Sequence, residues 1–493
     1  MFKNFLLRRY PAGPNVLFLF LTTLFIRLPF FFRDYTDRDE STFILMGQSI
    51  ADGHLPYVHL WDLKPPLLFY IFGAIETLFP HSFIAIRFFG VLVVFISAIF
   101  LDKIAKKGGL HNGLFIALLY IIFSSEIGNL QGLMSEHLAV LFFLPGLFFL
   151  QERRNGFYFL IAGLFFGCAL LCKLSYAYAV VALIISFLLL NWKSSSRREL
   201  FTSNLLLGFG LLLPFFLISI PFLAQQQADI FINSVFLAPL EYGHAQQYTF
   251  LQKIAKTWWI ISPALLLSFL AMKKSSPGNK ELISIASAVL LGTVYTFFSS
   301  GIVNGHYLIL IFPFVFILLS AIISKREVAV RLRYLALFVI LISVESLIEY
   351  YRVAKSYTET GTSYYRPSFQ IVNELKRLGL DKKKIFFADY HIGYWLLQQY
   401  PLSKSTTHPT NLGRPYLFKY FNVNKTSMEE LKYLMEEVRP DIVVSKIDRL
   451  GFFSYNGEEN SYFRSIISEK FKVLKQDNSN KIFIWQRIDS SKK

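Results

Sequence analysis

The sequence predicts a polytopic α-helical membrane protein of about eleven transmembrane helices with a C-terminal extracytoplasmic α/β domain. Three observations predict it. Apolar runs of spanning length recur through the first 350 residues, the loops between them alternate in charge, and the composition changes after Tyr350. Of the 493 residues 54% are hydrophobic and 17% charged, against roughly 25% charged in soluble domains. The 53 Phe stand largely in runs without polar alternation, which argues against one large soluble core. The formal net charge of +17 would point to nucleic acid in a soluble protein. Here most loop Lys and Arg lie at the ends of apolar runs. No basic-aromatic interleaving of the kind that grips single strands stands outside those runs, so no nucleic-acid partner is expected.

Taken in order, the N-terminus carries Arg8 and Arg9 and then an apolar run from Val16 to Phe32. No small-residue cleavage site follows, so the run reads as a retained first span. Spans are expected near 15–32, 82–101, 110–125, 136–150, 156–172, 176–191, 203–224, 257–272, 281–298, 307–323 and 334–350. One set of loops holds Lys103, Lys106 and Lys107; Arg153 and Arg154; Lys193, Arg197 and Arg198; Lys273, Lys274 and Lys280; Lys325, Arg326, Arg331 and Arg333. The loops near 126–135 and 299–306 hold no Lys or Arg. This asymmetry puts the N-terminus and the basic loops in the cytoplasm. The loop 33–81, a second long loop from Gln225 to Lys256, and everything after Tyr350 then face outward. Cys168 and Cys172 share a helix face in an apolar stretch and read as small packing residues.

The stretch 66–80 is apolar but too short to span easily, and reads as a helix lying in or dipping into the interface. Residues 351–493 form the second domain, after a membrane domain over 1–350. Within it Lys384–Ala388 and Asp441–Val444 look like short buried strands, 428–437 like a helix, and 471–474 with 481–486 like a closing hairpin around Asp477–Asn480. It carries no glycine-rich dinucleotide turn and no phosphate-binding loop.

The chemistry-bearing residues concentrate in the first outward loop. Asp37, Asp39 and Glu40 follow the first span; Gly53 to Tyr57 and Asp62-Leu63-Lys64-Pro65-Pro66 follow them. Acids there can take a proton from a hydroxyl, bind a cation, or decorate a solvated loop. The prolines fix the backbone beside Lys64, which suits it to a phosphate at headgroup level. Arg27 and Arg87 lie inside apolar runs near their outer ends, where snorkelling or an anionic partner would account for them. Glu136 and His137 open the fourth span, where a carboxylate caps a helix dipole favourably. Lys173 sits in a short outward loop, and His306-Tyr307 begins a late span. All these groups are expected on one face of the membrane.

These residues resemble the polyprenyl-phosphate-sugar-dependent transferases of the GT-C architecture, in the branch that includes protein O-mannosyltransferases and the lipid A aminoarabinose transferase. The resemblance rests on Asp39-Glu40, Gly53 to Tyr57, Lys64-Pro65-Pro66, Glu136, Lys173 and His306-Tyr307, and covers roughly the first 350 residues. It implies an inverting sugar transfer from an undecaprenyl- or dolichyl-phosphate donor in an inner (plasma) membrane. The acceptor class it implies is lipid A, another glycan, a lipid or a protein. Asp39 would be the general base, with Glu40 beside it. Lys64, Arg27, Arg87, Lys173, His306 and Tyr307 would contact the donor phosphate. Glu136, Asp37 and Tyr57 would orient the substrates. In the aminoarabinose branch a Glu precedes the lysine and joins a metal site; here that position is Leu63. No cofactor is implied with certainty; a divalent cation would have Asp62 and His244 as candidate ligands, and Glu40 and Glu136 could help orient it. A flippase for a lipid-linked sugar would instead place its charges near mid-membrane on broken, pseudo-symmetric helices. A non-catalytic envelope scaffold would not gather a base, a lysine and arginines on one loop.

Overall fold

The computed structural model describes residues 14–34, 37–126, 128–152, 155–192, 196–245, 248–323, 343–421, 423, 426–446, 449–477 and 482–488. The chain divides into two compact units. One comprises Met1–Phe31, Arg87–Ile218 and Gln246–Tyr350; the other comprises Phe32–Ile86, Ser219–Ala245 and Tyr351–Lys493.

Among the described residues six helices are long and apolar enough to cross a membrane: Asn15–Phe32, Phe83–Lys107, Leu174–Asn191, Arg197–Ala224, Phe250–Lys274 and Lys280–Ser300. Shorter apolar helices, Gly113–Glu126, Ser135–Leu150, Gly156–Leu170 and Phe312–Ile323, stand at other expected spans. Several helices outrun their apolar cores. Phe83–Lys107 continues past residue 101, where Lys106 pairs with Asp102 one turn back at 2.6 Å. Phe250–Lys274 begins seven residues early because Thr249 and Gln252 form a capping box. Hydropathy marks the stretch that suits lipid; caps and i,i+4 pairs decide where the backbone stops being helical. The expected span over 334–350 falls partly on 334–342, outside the described residues, and from Val344 a helix runs on to Thr360. The basic loop residues Arg153, Arg154, Lys193, Lys325, Arg326, Arg331 and Arg333 also lie outside the described residues.

In this first unit the backbones of Gly156–Leu170 and Arg197–Ala224 touch. A Cβ on Gly163 would overlap the Leu207 carbonyl, one on Gly167 the Leu211 carbonyl, and one on Gly210 the Leu160 carbonyl. Small residues four apart let two helices approach this closely in lipid, where close packing replaces the hydrophobic effect.

In the second unit the expected polar loop is largely helical. Asp37 caps a helix over Arg38–Ala51, its carboxylate accepting from the Asp39 N–H at 2.9 Å. Pro65 precedes a second helix, Pro66–Leu78, with Pro66 in its first turn, where a missing N–H is harmless. The two helices pack backbone to backbone: a Cβ on Gly47 would stand 2.7 Å from Phe72 Cβ, and one on Gly73 2.6 Å from Ile50 Cγ2. The C-terminal segment contributes a four-stranded sheet of β1 (Ile385–Phe387), β2 (Ile442–Ser445), β3 (Phe471–Asp477) and β4 (Ile482–Arg487). Its order is β1-β2-β4-β3, with β1 parallel to β2 and the other pairs antiparallel. All residues of β1 and β2 are buried, as apolar runs of three or four residues foretell.

This segment is hydrogen-bonded to the helices of the first loop. The Ser368 N–H donates to Asp34 Oδ2 at 3.1 Å, Trp395 Nε1–H to Glu76 Oε2 at 3.1 Å, and the Trp61 N–H to Thr407 Oγ1 at 3.3 Å. Tyr400 donates to the Asp52 carboxylate. These bonds join residues more than 300 positions apart within one compact unit.

Candidate active site

Within the second unit the first helical turn presents Asp39. One oxygen of its carboxylate, Oδ2, accepts from Lys64 Nζ at 2.9 Å; the other, Oδ1, lies 3.0 Å from His408 Nε2. Side-chain exposure of Asp39 and Lys64 is 17% and 18%, so the pair is shielded yet reachable. The turn before Pro66 holds Lys64 in place. Tyr57 OH donates to the Lys64 carbonyl at 2.7 Å, and Asp62 Oδ2 accepts from the Lys64 N–H at 3.4 Å. Tyr57 adopts φ +70, a strained value for a tyrosine, and is buried against Phe69 and Phe222. Its ring therefore fixes the backbone of the lysine. Glu40, one residue on, is fully buried. Behind Asp39, Thr42 Oγ1 stands 3.2 Å from His391 Nε2. Arg38 pairs with Asp389 at 3.5 Å. Burial, with His408 and Arg38 beside it, holds the His391 imidazole well below its usual range.

Within the first unit a second cluster forms from segments far apart in sequence. Lys173 Nζ pairs with Glu136 Oε1 at 2.6 Å, with 9% and 0% side-chain exposure. Ser135 Oγ donates to Glu136 Oε2 at 3.0 Å, and His306 Nε2 stands 3.9 Å from Oε1. Lys173 Nζ also lies over the Tyr307 ring at 4.6 Å. Glu136, Lys173, His306 and Tyr307, which the sequence singles out one by one, thus meet. His306 and Tyr307 come from a 3-10 turn, Gly305–Leu310, preceded by Gly301 at φ +67, a left-handed helix end that glycine adopts without strain.

Arg27 is buried, and both its Nη atoms donate into the turn before Glu136. Nη2 reaches the carbonyls of Gln131 and Gly132 at 2.9 and 2.8 Å; Nη1 reaches Ser124 O, Ser125 Oγ and Leu130 O at 3.2 to 3.4 Å. His137 grips the same turn. The Met134 N–H donates to its Nδ1 at 3.2 Å, so its Nε2 carries the proton and donates to Ser124 O at 2.9 Å. Arg27 and His137 therefore shape the segment that presents Glu136. Arg87 is buried in the same unit. Among the described residues no group of three or more His, Cys, Asp or Glu stands where it could hold a metal. Asp62 is buried, and the His244 side chain lies outside the described residues.

Sequence reasoning did not single out His408 or His391. Both sit in the C-terminal module, His391 between Tyr390 and Ile392 in a largely apolar stretch and His408 between Thr407 and Pro409 in a polar one. The one available signal was local: His408-Pro409 opening a turn, with a polar Thr410 two residues on.

The fold is that of the GT-C membrane glycosyltransferases, as the first-loop motifs led one to expect. A family model for dolichyl-phosphate-mannose-protein mannosyltransferase matches residues 63–221, the stretch that includes Lys64, Glu136 and Lys173. The crystal structure of ArnT from Cupriavidus metallidurans bound to undecaprenyl phosphate is similar over 98% of this chain and 99% of that one, with a TM-score of 0.58 at 13% identity. The oligosaccharyltransferase of Archaeoglobus fulgidus, in a complex with Zn and sulfate, is similar over 88% of this chain and 68% of that one, with a TM-score of 0.46 at 12% identity. No curated protein sequence matches this one significantly.

Proposed function

We propose that this protein is an integral-membrane glycosyltransferase that moves a sugar, with inversion, from a polyprenyl-phosphate donor to an extracytoplasmic acceptor. The acceptor class is lipid A or lipopolysaccharide, another glycan, or a protein. The observation that carries the reading is the Asp39–Lys64 pair, a shielded carboxylate beside a fixed ammonium at 2.9 Å. It supplies the two charges such a transfer needs. Asp39 takes the proton from the acceptor hydroxyl. The acceptor oxygen bonds to the anomeric carbon as the bond from that carbon to the phosphate oxygen breaks. The electron pair leaves with the polyprenyl phosphate, whose added negative charge Lys64 stabilises.

In the ligand-free state Lys64 occupies Asp39 Oδ2 at 2.9 Å. A donor phosphate that draws Lys64 to itself would free that oxygen for the acceptor hydroxyl. The Glu136, Lys173, His306 and Tyr307 cluster is proposed as a second donor-contacting group, with Arg27 shaping the turn that carries Glu136. The reading places the protein as a multi-pass protein of the inner membrane, its N-terminus cytoplasmic and residues 351–493 periplasmic. The ArnT structure was solved with undecaprenyl phosphate, which supports that class of donor lipid.

The test is transfer in detergent or liposomes from radiolabelled polyprenyl-phosphate sugars, with nucleotide sugars in parallel. The reading expects labelled acceptor and free polyprenyl phosphate from the lipid donors only. Labelling from a nucleotide sugar alone would overturn it. External thiol labelling should reach cysteines introduced at 455 and not at 274.

A further inference from the structure

His408 lies 369 residues from Asp39 in sequence and belongs to the C-terminal module, which otherwise carries no catalytic fingerprint. Its two ring nitrogens have different jobs. Nδ1 caps the 3-10 turn Pro409–Gly413: the Thr410 N–H donates to it at 3.3 Å, and Thr410 Oγ1 stands 2.7 Å away. An N–H donor fixes Nδ1 as an acceptor, so the proton must sit on Nε2. Nε2 then donates to Asp39 Oδ1 at 3.0 Å. The side chain is 8% exposed, and Pro409 fixes the backbone directly after it. A cap needs only one nitrogen, and Asn or Ser would serve as well. The second nitrogen, aimed at the carboxylate, is what a cap alone does not explain. The charged and titratable groups around this contact are Asp39, Lys64, Asp37, Arg38 and His391.

We propose that His408 is a positioning residue for Asp39: its Nε2–H holds one carboxylate oxygen, so that the other is left to the acceptor hydroxyl once Lys64 turns to the donor phosphate. The C-terminal module is then part of the reacting machinery rather than an appendage. This rests on the transferase reading above.

Two substitutions separate the roles of the ring. His408→Asn keeps an acceptor at the Nδ1 position and so keeps the cap, but cannot reach Asp39. His408→Gln carries an amide N–H to roughly the Nε2 position and keeps the donor. His408→Asn is expected to fold as wild type and to lose about ten- to hundredfold in kcat, with the donor KM changed less than about twofold. His408→Gln is expected to stay within about threefold of wild-type kcat. Wild-type kcat in His408→Asn, or an equal loss in both variants, would overturn the proposal. Histidine side-chain nitrogen NMR of the detergent-solubilised protein tests the contact independently of turnover. His408 should be protonated on Nε2, and its Nε2 resonance should shift in Asp39→Asn. Protonation on Nδ1, or no shift, would overturn it. If the wild type transfers no sugar from any lipid donor, the functional reading fails, and the NMR result still decides whether His408 holds Asp39.

Discussion

Replacing Lys173 by Met removes the ammonium 2.6 Å from Glu136 Oε1 and leaves a carboxylate whose side chain has 0% exposure. Breaking a buried ion pair by removing one partner destabilises by about 3–5 kcal/mol, because the remaining charge stays buried. Two groups soften the loss here: Ser135 Oγ still donates to Oε2, and His306 Nε2 stands 3.9 Å from Oε1. The expected loss is therefore near the lower bound, about 3 kcal/mol. Removing both charges in Lys173→Met/Glu136→Gln leaves two neutral side chains of nearly the original shape. Such replacements are neutral or better for buried pairs, so the double variant should lie within about 1 kcal/mol of wild type. The two substitutions should thus couple by roughly 2 kcal/mol or more in a double-mutant cycle. Reversible unfolding in mixed micelles measures the four species. The double variant should regain stability without regaining sugar transfer, since the pair is proposed to meet the donor. Lys173→Met as stable as wild type, or losses that simply add, would refute the reasoning.

Arg27→Leu leaves the carbonyls of Ser124, Leu130, Gln131 and Gly132 without their guanidinium donor. At about 1–3 kcal/mol for each buried group left unsatisfied, it should destabilise by at least about 3 kcal/mol and open the turn at 128–132 to proteolysis. An unchanged digest would contradict its anchoring role. The His391 imidazole is held well below its usual range by burial, so the unfolded chain takes up a proton near pH 6.5 that the folded one refuses. Stability should therefore fall as pH drops below about 6.5, by up to about 1.4 kcal/mol per unit from this group, and His391→Asn should flatten that limb in unfolding measured between pH 7 and pH 5. Gly163→Val would drive its side chain into the Leu207 carbonyl; folded yield in detergent should drop sharply, whereas valine at Gly208, where nothing stands within 4 Å of a Cβ, should be tolerated.

Much of the fold was legible because lipid imposes a coarse rule that hydropathy reads directly. Ends were less legible, as at Thr249 and Lys107, because capping and local ion pairs extend a helix beyond its apolar core. The short strands at 385–387 and 442–445 could be read from buried β-branched and aromatic runs. Glu136, Lys173 and His306 stood out because a polar group at the edge of an apolar run needs a reason. Their meeting at one place is a tertiary fact that spacing does not contain. Arg27 showed the opposite limit. A buried arginine invites an anion, but the partners in the structure include backbone carbonyls, which every residue has and no sequence pattern marks. The loop at 37–66 stood out in the sequence as the densest polar cluster, and Asp37 starts a helix there. His408 offered only a local turn signal, because its significance comes from a contact across 369 residues.

The central claim is that the Asp39 carboxylate removes the acceptor proton. The direct test is kcat for sugar transfer from a polyprenyl-phosphate donor in Asp39→Asn, with donor binding and unfolding measured on the same sample. A general base contributes about a hundredfold or more. The account predicts at least that loss in kcat, with the donor still bound and the protein still folded. Transfer within about threefold of wild type would contradict it.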